Sequence, residues 1–129
     1  MNPLKSTMEQ ALSGMQLQTK RIDVTSQNIS NADTPGYKRK VLMVEQGGGL
    51  TGAEAFQRSR VQLDQTEGER RYEPDNPMSD DEGYVTLSNV SLVTEMADMR
   101  EANLNYEANL NSFRQARSMY QSLLDILKR

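Results

Sequence analysis

Three short stretches carry residue types that could do chemistry. Gly47-Gly48-Gly49-Leu50-Thr51-Gly52 matches G-x-G-x-x-G, the loop that lets a backbone approach a dinucleotide pyrophosphate. Asp80-Asp81-Glu82, beside Gly83, gathers carboxylates that could hold a calcium ion. Lys38-Arg39-Lys40 could contact a phosphate. The glycine pattern needs a parallel βαβ unit around it, and short strands and turns provide none, so it reads as a flexible loop. The acidic run lacks oxygens at alternate positions and a distal Glu, and Pro77 lies close by, so it reads as a solvated turn. For the three cations two readings stay open: a solvated strand edge, or contact with acidic residues of a neighbouring subunit.

Composition narrows the chemistry further. The chain of 129 residues suits one domain, or one domain with extensions. It has no Cys and no His, which removes thiol nucleophiles, disulfides, imidazole bases and the usual zinc ligands. No nucleophile, base and metal constellation can then be assembled, so no catalytic, metal or cofactor-binding residue is expected, and an enzyme is the least expected class. A net charge of −3 and a pI of about 5.0 leave no basic field for nucleic acid. Eight Met against two Phe and no Trp suit adaptable packing surfaces. Met1 to Lys20 has no continuous apolar core, so no signal peptide is expected, and no stretch has the apolar length of a membrane span.

What must position any site is a pair of long helices. Asn2 is a good cap and Pro3 suits the first helical turn. Alternating steps of four and three then give Leu4, Met8, Ala11, Met15, Gln18, Ile22, Thr25, Ile29 and Ala32, a mostly apolar seven-residue seam. The same steps from Leu92 give Met96, Met99, Asn103, Tyr106, Leu110, Phe113, Arg117, Tyr120, Leu124 and Leu127. Asn103 and Arg117 interrupt that seam, either by reaching solvent or by fixing register. Ser88, Asn89 and Ser91 are candidate caps, and Glu95 sits where the helix dipole favours a negative charge. Each helix would run about 45–50 Å.

The expected fold is therefore mainly α: N- and C-terminal helices paired as an antiparallel, coiled-coil-like hairpin around a small, irregular, β-rich middle. The divisions fall at residues 1–34, 35–88 and 89–129. In the middle, Val41–Val44 and Arg60–Gln65 read as strands, the second half-buried by its alternation, and Arg71-Tyr72 could pair with Tyr84–Leu87. So few large apolar residues cannot build a deep core alone. The first helix stops hard at Thr34-Pro35-Gly36-Tyr37, where proline removes an N–H and Gly36 can take the positive φ of a type II turn.

A mismatch follows. The middle is too small to cover two full-length seams, and pairing the helices still leaves Leu12, Leu17, Val24, Val93, Leu104, Leu123 and Ile126 off the seam. Each large apolar side chain gains roughly 1.5–3 kcal/mol on burial, so the chain reads as an assembly subunit whose helices pack against neighbours. The candidate packing residues are Leu4, Met8, Ala11, Met15, Ile22 and Ile29 on the first helix. On the second they are Leu92, Met96, Met99, Tyr106, Leu110, Phe113, Tyr120, Leu124 and Leu127.

Ser26–Lys40, SQNISNADTPGYKRK, resembles the N-terminal signature of the bacterial flagellar rod and hook axial proteins, through Asn28, Asn31, Ala32, Thr34, Gly36, Tyr37 and Lys38. Tyr72–Leu110 is similar to the proximal-rod members of that family, through residues that include Tyr72, Pro74, Pro77, Asn89, Glu95, Glu101 and Asn109. The resemblance implies a structural subunit of the flagellar basal body, exported by the flagellar type III apparatus without a cleaved signal. It implies that the terminal helices pack into the inner tube of a rod that spans the periplasm and serves as drive shaft and export channel for motility. Implied partners are further copies, other rod subunits, and basal-body ring and export-gate components, with no nucleic acid and no small-molecule substrate. Asn28, Asn31, Thr34, Pro35, Gly36 and Tyr37 become a family turn motif that ends the inner helix and sends the chain outward. Two alternatives remain: another rod or hook-type subunit, against which Tyr72–Asn89 argues, and a free coiled-coil adaptor, which would not explain the Thr-Pro-Gly-Tyr turn.

Overall fold

Asn2 has extended backbone angles, and its side chain accepts the Leu4 N–H at 3.0 Å, so helix α1 (Pro3–Ser30) starts on a satisfied cap with proline in its first turn. The computed structural model describes residues 2–45, 54, 56 and 58–128, and the Gly47–Gly52 motif lies outside them. At the far end the Asn31 N–H reaches back to the Gln27 and Asn28 carbonyls, at 3.1 and 3.3 Å, and α1 stops before the proline.

Strand β1 (Lys40–Met43) pairs antiparallel with β2 (Arg60–Leu63), with Lys40 opposite Leu63 and Met43 opposite Arg60. The expected half-burial of the second strand is not found: all four residues of β2 are exposed. β1 is the strand that lies against α1, so β2 hangs from its outer edge, and among the described residues no element is layered over either of its faces. β1 instead covers Val24, which is buried rather than left off the seam.

Strand β3 (Arg70–Tyr72) pairs antiparallel with β4 (Tyr84–Thr86), and the Tyr72 and Tyr84 rings meet edge to face at 5.2 Å. The loop between them is held by one carboxylate. Asp80 accepts the Glu82 and Tyr84 N–H groups, each at 2.9 Å, and the Arg70 guanidinium at 2.6 Å. These partners, the Tyr84 amide first, hold its pKa below the usual carboxylate range. The acidic run is thus a turn staple, and among the described residues no acid cluster is placed to hold a metal ion. Val85 is the deeply buried apolar residue of this middle region.

Helix α2 (Leu92–Leu127) begins on Ser91, whose side chain accepts the Thr94 N–H. It runs antiparallel to α1: Asn28 meets Glu95, Arg21 meets Glu101, and Gly14 meets Asn109. The face α2 turns to α1 is rotated from the expected seam. Its buried residues are Glu95, Ala102 and Ala116, each one position before Met96, Asn103 and Arg117. Asn103 and Arg117 are accordingly exposed in the single chain. Side-chain size explains the rotation. Ala11 and Gly14 on α1 and Ala102 and Ala116 on α2 let the backbones approach, and the close contact fixes which line is buried.

A Cβ added at Gly14 would lie 2.8 Å from the Asn109 amide. Gly14→Val should therefore lower stability by about 1–3 kcal/mol through overpacking. Asn109→Ala in the same chain should recover most of that loss in thermal melts followed by circular dichroism. An unchanged midpoint for Gly14→Val would mean the helices are not this close.

Candidate functional site

The chain reverses out of α1 through a type II turn. The Tyr37 N–H donates to the Thr34 carbonyl at 3.2 Å, and Gly36 has φ +76°, which a side chain would oppose. The Gly36 N–H donates to the Thr86 carbonyl at 2.9 Å, which ties the turn to β4. Ser88 donates its hydroxyl to the Ala32 carbonyl, and the Thr34 hydroxyl donates to the Asn31 amide oxygen at 3.2 Å. Asn31, Thr34, Pro35, Gly36 and Tyr37 are thus brought into one structure.

Beneath the turn lies a polar joint centred on Asn28, which is 1% exposed. Its Oδ1 accepts the Tyr37 hydroxyl and the Lys40 N–H, each at 2.9 Å. Its Nδ2 donates to the Lys40 carbonyl at 2.8 Å and to Glu95 Oε2 at 3.2 Å. The amide is fully satisfied, with two bonds accepted and two donated. Glu95, also 1% exposed, takes the Arg39 Nε–H on its other oxygen. Arg39 also reaches Asp98 at 3.2 Å, and its backbone N–H donates to Asn89 Oδ1 at 2.6 Å. The Asn89 amide in turn donates to the Asp64 and Thr66 carbonyls at 2.9 and 2.8 Å. α1, the turn, β1, the exit of β2 and the start of α2 therefore converge on one hydrogen-bonded network.

Electrostatics follow the geometry. The bond to Glu95 raises the Arg39 pKa further above its ordinary range, against the effect of burial. Burial first, and then the nearby Glu95 charge, push the Tyr37 phenol above its ordinary 10.0. The Lys38-Arg39-Lys40 run has its partners inside the chain. Lys38 donates to the Thr66 carbonyl at 3.1 Å, Arg39 sits in the joint, and Lys40 reaches Gln27 at 2.6 Å. The acidic partners of the run are the chain's own Glu95 and Asp98. Asp98 was not singled out from the sequence; Arg39 was read only as part of the basic run, Asn89 as a candidate cap, and Glu95 for its place in the first helical turn, the last two also carrying the family resemblance. The available signal was a charge on the line of small residues, at Glu95 before Ala102. The network holds geometry; no group in it is poised as nucleophile or base.

Around this joint the helix pair leaves apolar surface open. Of the candidate packing residues, Ala11 and Met15 are buried, and Leu4, Met8, Ile22, Ile29, Met99, Tyr106, Leu110, Phe113 and Tyr120 are half-buried. Leu92, Met96, Leu124 and Leu127 are exposed, as are Leu12, Val93, Leu104, Leu123 and Ile126. Two open clefts run beside the helices. One of about 470 Å³ is lined by Ile29, Leu92, Met96, Met99 and Leu104, with Arg100, Asn103 and Glu107 on its wall. The other, of about 720 Å³, includes Leu12, Met15, Phe56, Tyr106, Leu110 and Phe113.

Two families match the ends of the chain: "Flagella basal body rod protein" over residues 8–38 and "Flagellar basal body rod FlgEFG protein C-terminal" over residues 81–126. The chain is similar to the flagellar basal-body rod protein FlgC of Agrobacterium fabrum, with 39% identity covering 99% of this chain and 98% of the relative. It is 30% identical to that of Borreliella burgdorferi over 97% of this chain and 98% of the relative. The Salmonella typhimurium protein of the same name is 30% identical over 88% of this chain and 90% of the relative.

Glu95→Ala should leave Arg39 half-buried beside Asp98 alone and open the joint, at a cost of about 3 kcal/mol read by denaturant unfolding. A loss no larger than that of an exposed control, Glu107→Ala, would show that the joint does not hold the helices. Alkaline pH should weaken the joint as well. A phenol whose folded pKa is raised keeps its stabilisation below 10.0 and loses it as pH rises from there through the folded value. The stability gap between the parent and Tyr37→Phe, taken from melts at stepped pH, should therefore shrink above pH 10; a gap that stays constant would contradict this.

Proposed function

Because the chain belongs to the FlgC family of flagellar basal-body rod proteins, we propose that it polymerises through its two terminal helices in the proximal part of the rod. It is a structural subunit of the basal-body rod, not an enzyme. The observation that carries the proposed mode of assembly is a contrast within one molecule. The polar joint has every buried side-chain donor and acceptor met, while the helix faces on either side keep large apolar residues in water. A helix pair held by a satisfied joint and left apolar outside suits a part that completes its packing in an assembly.

In this reading residues 1–34 and 89–129 form an inner layer as a coiled-coil-like hairpin, supported by the seven-residue spacing of Met99, Tyr106, Phe113 and Tyr120. Residues 35–88 stand outside it, sent there by the Thr34–Tyr37 turn. The exposed candidate residues Leu92, Met96, Leu124 and Leu127 are buried by neighbours: further copies, other rod subunits, and ring or export-gate components at the ends of the stack. The rod spans the periplasm, and the subunit reaches it through the flagellar export apparatus without a cleaved signal. Packing against non-identical neighbours also gives the methionines a use, since their side chains adapt to surfaces of different shape.

The test uses residues whose change leaves the single chain folded. Leu12 is 48% exposed on the larger cleft, so Leu12→Asp should keep the helical signal of the monomer and the cellular protein level. In the assembly it would place an unpaired carboxylate in apolar contact, at a cost of several kcal/mol. Leu12→Asp protein should be missing from purified basal bodies and swimming should stop, while the exposed Asn111→Asp stays near normal. Equal tolerance of the two substitutions would remove the cleft from the assembly surface, and absence of the parent chain from basal bodies would overturn the rod reading itself.

A further inference from the structure

The larger cleft beside the helices is not walled by helices alone. Phe56, a half-buried residue of the middle region, lines it together with Leu12, Met15, Leu110 and Phe113. A short turn presents the ring. The Arg58 N–H donates to the Glu54 carbonyl at 2.9 Å, and the Ser59 N–H and hydroxyl both donate to the Phe56 carbonyl, at 3.2 and 2.6 Å. One side chain of α1 pins this turn down. Lys20 Nζ donates to the Ser59 carbonyl at 3.2 Å and to the Ser59 hydroxyl oxygen at 3.0 Å, and it lies 5.8 Å from the centre of the Phe56 ring. Lys20 and Ser59 are 39 residues apart, so the pin joins the middle region to α1 at a second point, about two helical turns from Asn28.

We propose that Phe56 and Lys20 form a latch: an autoinhibitory contact that occupies an apolar assembly surface in the free chain and gives way when a neighbouring subunit takes its place. This inference deepens the rod reading and rests on it. Three observations distinguish a latch from a fixed part of the fold. The ring sits in the open cleft that neighbours complete in the rod, beside Leu12, Leu110 and Phe113, and close packing leaves no room there for both Phe56 and a neighbour's side chain. The hold is light. Both Lys20 hydrogen bonds go to uncharged oxygens, and an ammonium near a ring still in reach of water is weakly attracted, whereas the polar joint rests on Asn28 and Glu95, each 1% exposed. The turn is also free to lift. It leads into β2, whose four residues are all exposed, so moving it uncovers Phe56 and Ser59 without opening a core.

The latch acts by population. A neighbour finds a competent cleft only in the fraction of chains whose latch is open, and its apparent affinity falls by that fraction. The free chain is thus kept from pairing with itself, while a growing rod end, which offers several contacts at once, displaces the ring.

Sedimentation velocity of the purified chain over a concentration series tests this. Phe56→Ala deletes the ring; Lys20→Met deletes the pin and keeps its apolar stem. Each should self-associate about tenfold more tightly than the parent, because the closed fraction is lost. The sign is diagnostic, since removing an apolar side chain from an ordinary contact surface weakens association. Adding Leu12→Asp to Phe56→Ala should return the chain to the parent's behaviour, because the uncovered surface is then spoiled. Either single variant associating no more tightly than the parent would overturn the latch, as would association that survives Leu12→Asp. If Phe56→Ala loses its helical circular dichroism signal, Lys20→Met with and without Leu12→Asp decides by the same criteria. None of these outcomes touches the presence of the parent chain in purified basal bodies; its absence there would remove the rod reading instead.

Discussion

A carboxylate at the first turn of α2 has been taken almost wholly out of water, and the rest of the architecture is arranged so that it can stay there. An unpaired buried charge costs several kcal/mol, so Glu95 needs a cation and a neutral donor at fixed positions. Arg39 supplies the first and Asn28 the second. Arg39 can arrive only if the chain turns sharply after α1, which requires Pro35 and the positive φ of Gly36. Asn28 can donate only if α1 lies close beside α2, which requires Ala11, Gly14, Ala102 and Ala116 to be small. The turn, the strand that follows it and the helix register are linked through this one group.

The parts of the fold that were legible in the sequence are those set by local rules. Asn2-Pro3 marked the start of α1, Thr34–Gly36 the turn that follows its end at Ser30, Ser91, one of three candidate caps, the start of α2, and Gly36 its positive φ. The pairing of Arg71-Tyr72 with the Tyr84–Leu87 stretch was expected across a proline-containing loop, and the register found sets Arg71 opposite Val85. What escaped was set by distant partners. The stripe on α2 was drawn through its largest apolar residues, yet the buried line runs through Glu95, Ala102 and Ala116. Periodicity marks apolar positions without distinguishing a face buried within the chain from one left for a partner. The basic run at Lys38–Lys40 was misleading for a similar reason. Its acids lie far along the chain, Glu95 being 56 residues from Arg39, and nothing local points to them.

The molecule thus divides its forces by place. Directional polar bonds sit at one end, where they set angles between segments. Non-directional apolar surface is spread along the helices and left open, where it can accept neighbours of somewhat different shape. The middle region adds little core of its own. It is held by Val85, the Tyr72–Tyr84 contact and the Asp80 staple, and β2 is exposed on both faces.

The joint also bears on how fast the chain can find its fold. Asn28 and Glu95 are 67 residues apart, so the network closes a long loop. For a flexible chain the length-dependent part of that closure entropy amounts to about 4 kcal/mol. The helices and the β3–β4 hairpin draw on local contacts and form on microsecond timescales. The joint can form only after the intervening segments have come together, and contacts of large sequence separation slow folding. The joint therefore adds to the folding of this chain a long-range closure that the helices and hairpin by themselves do not require.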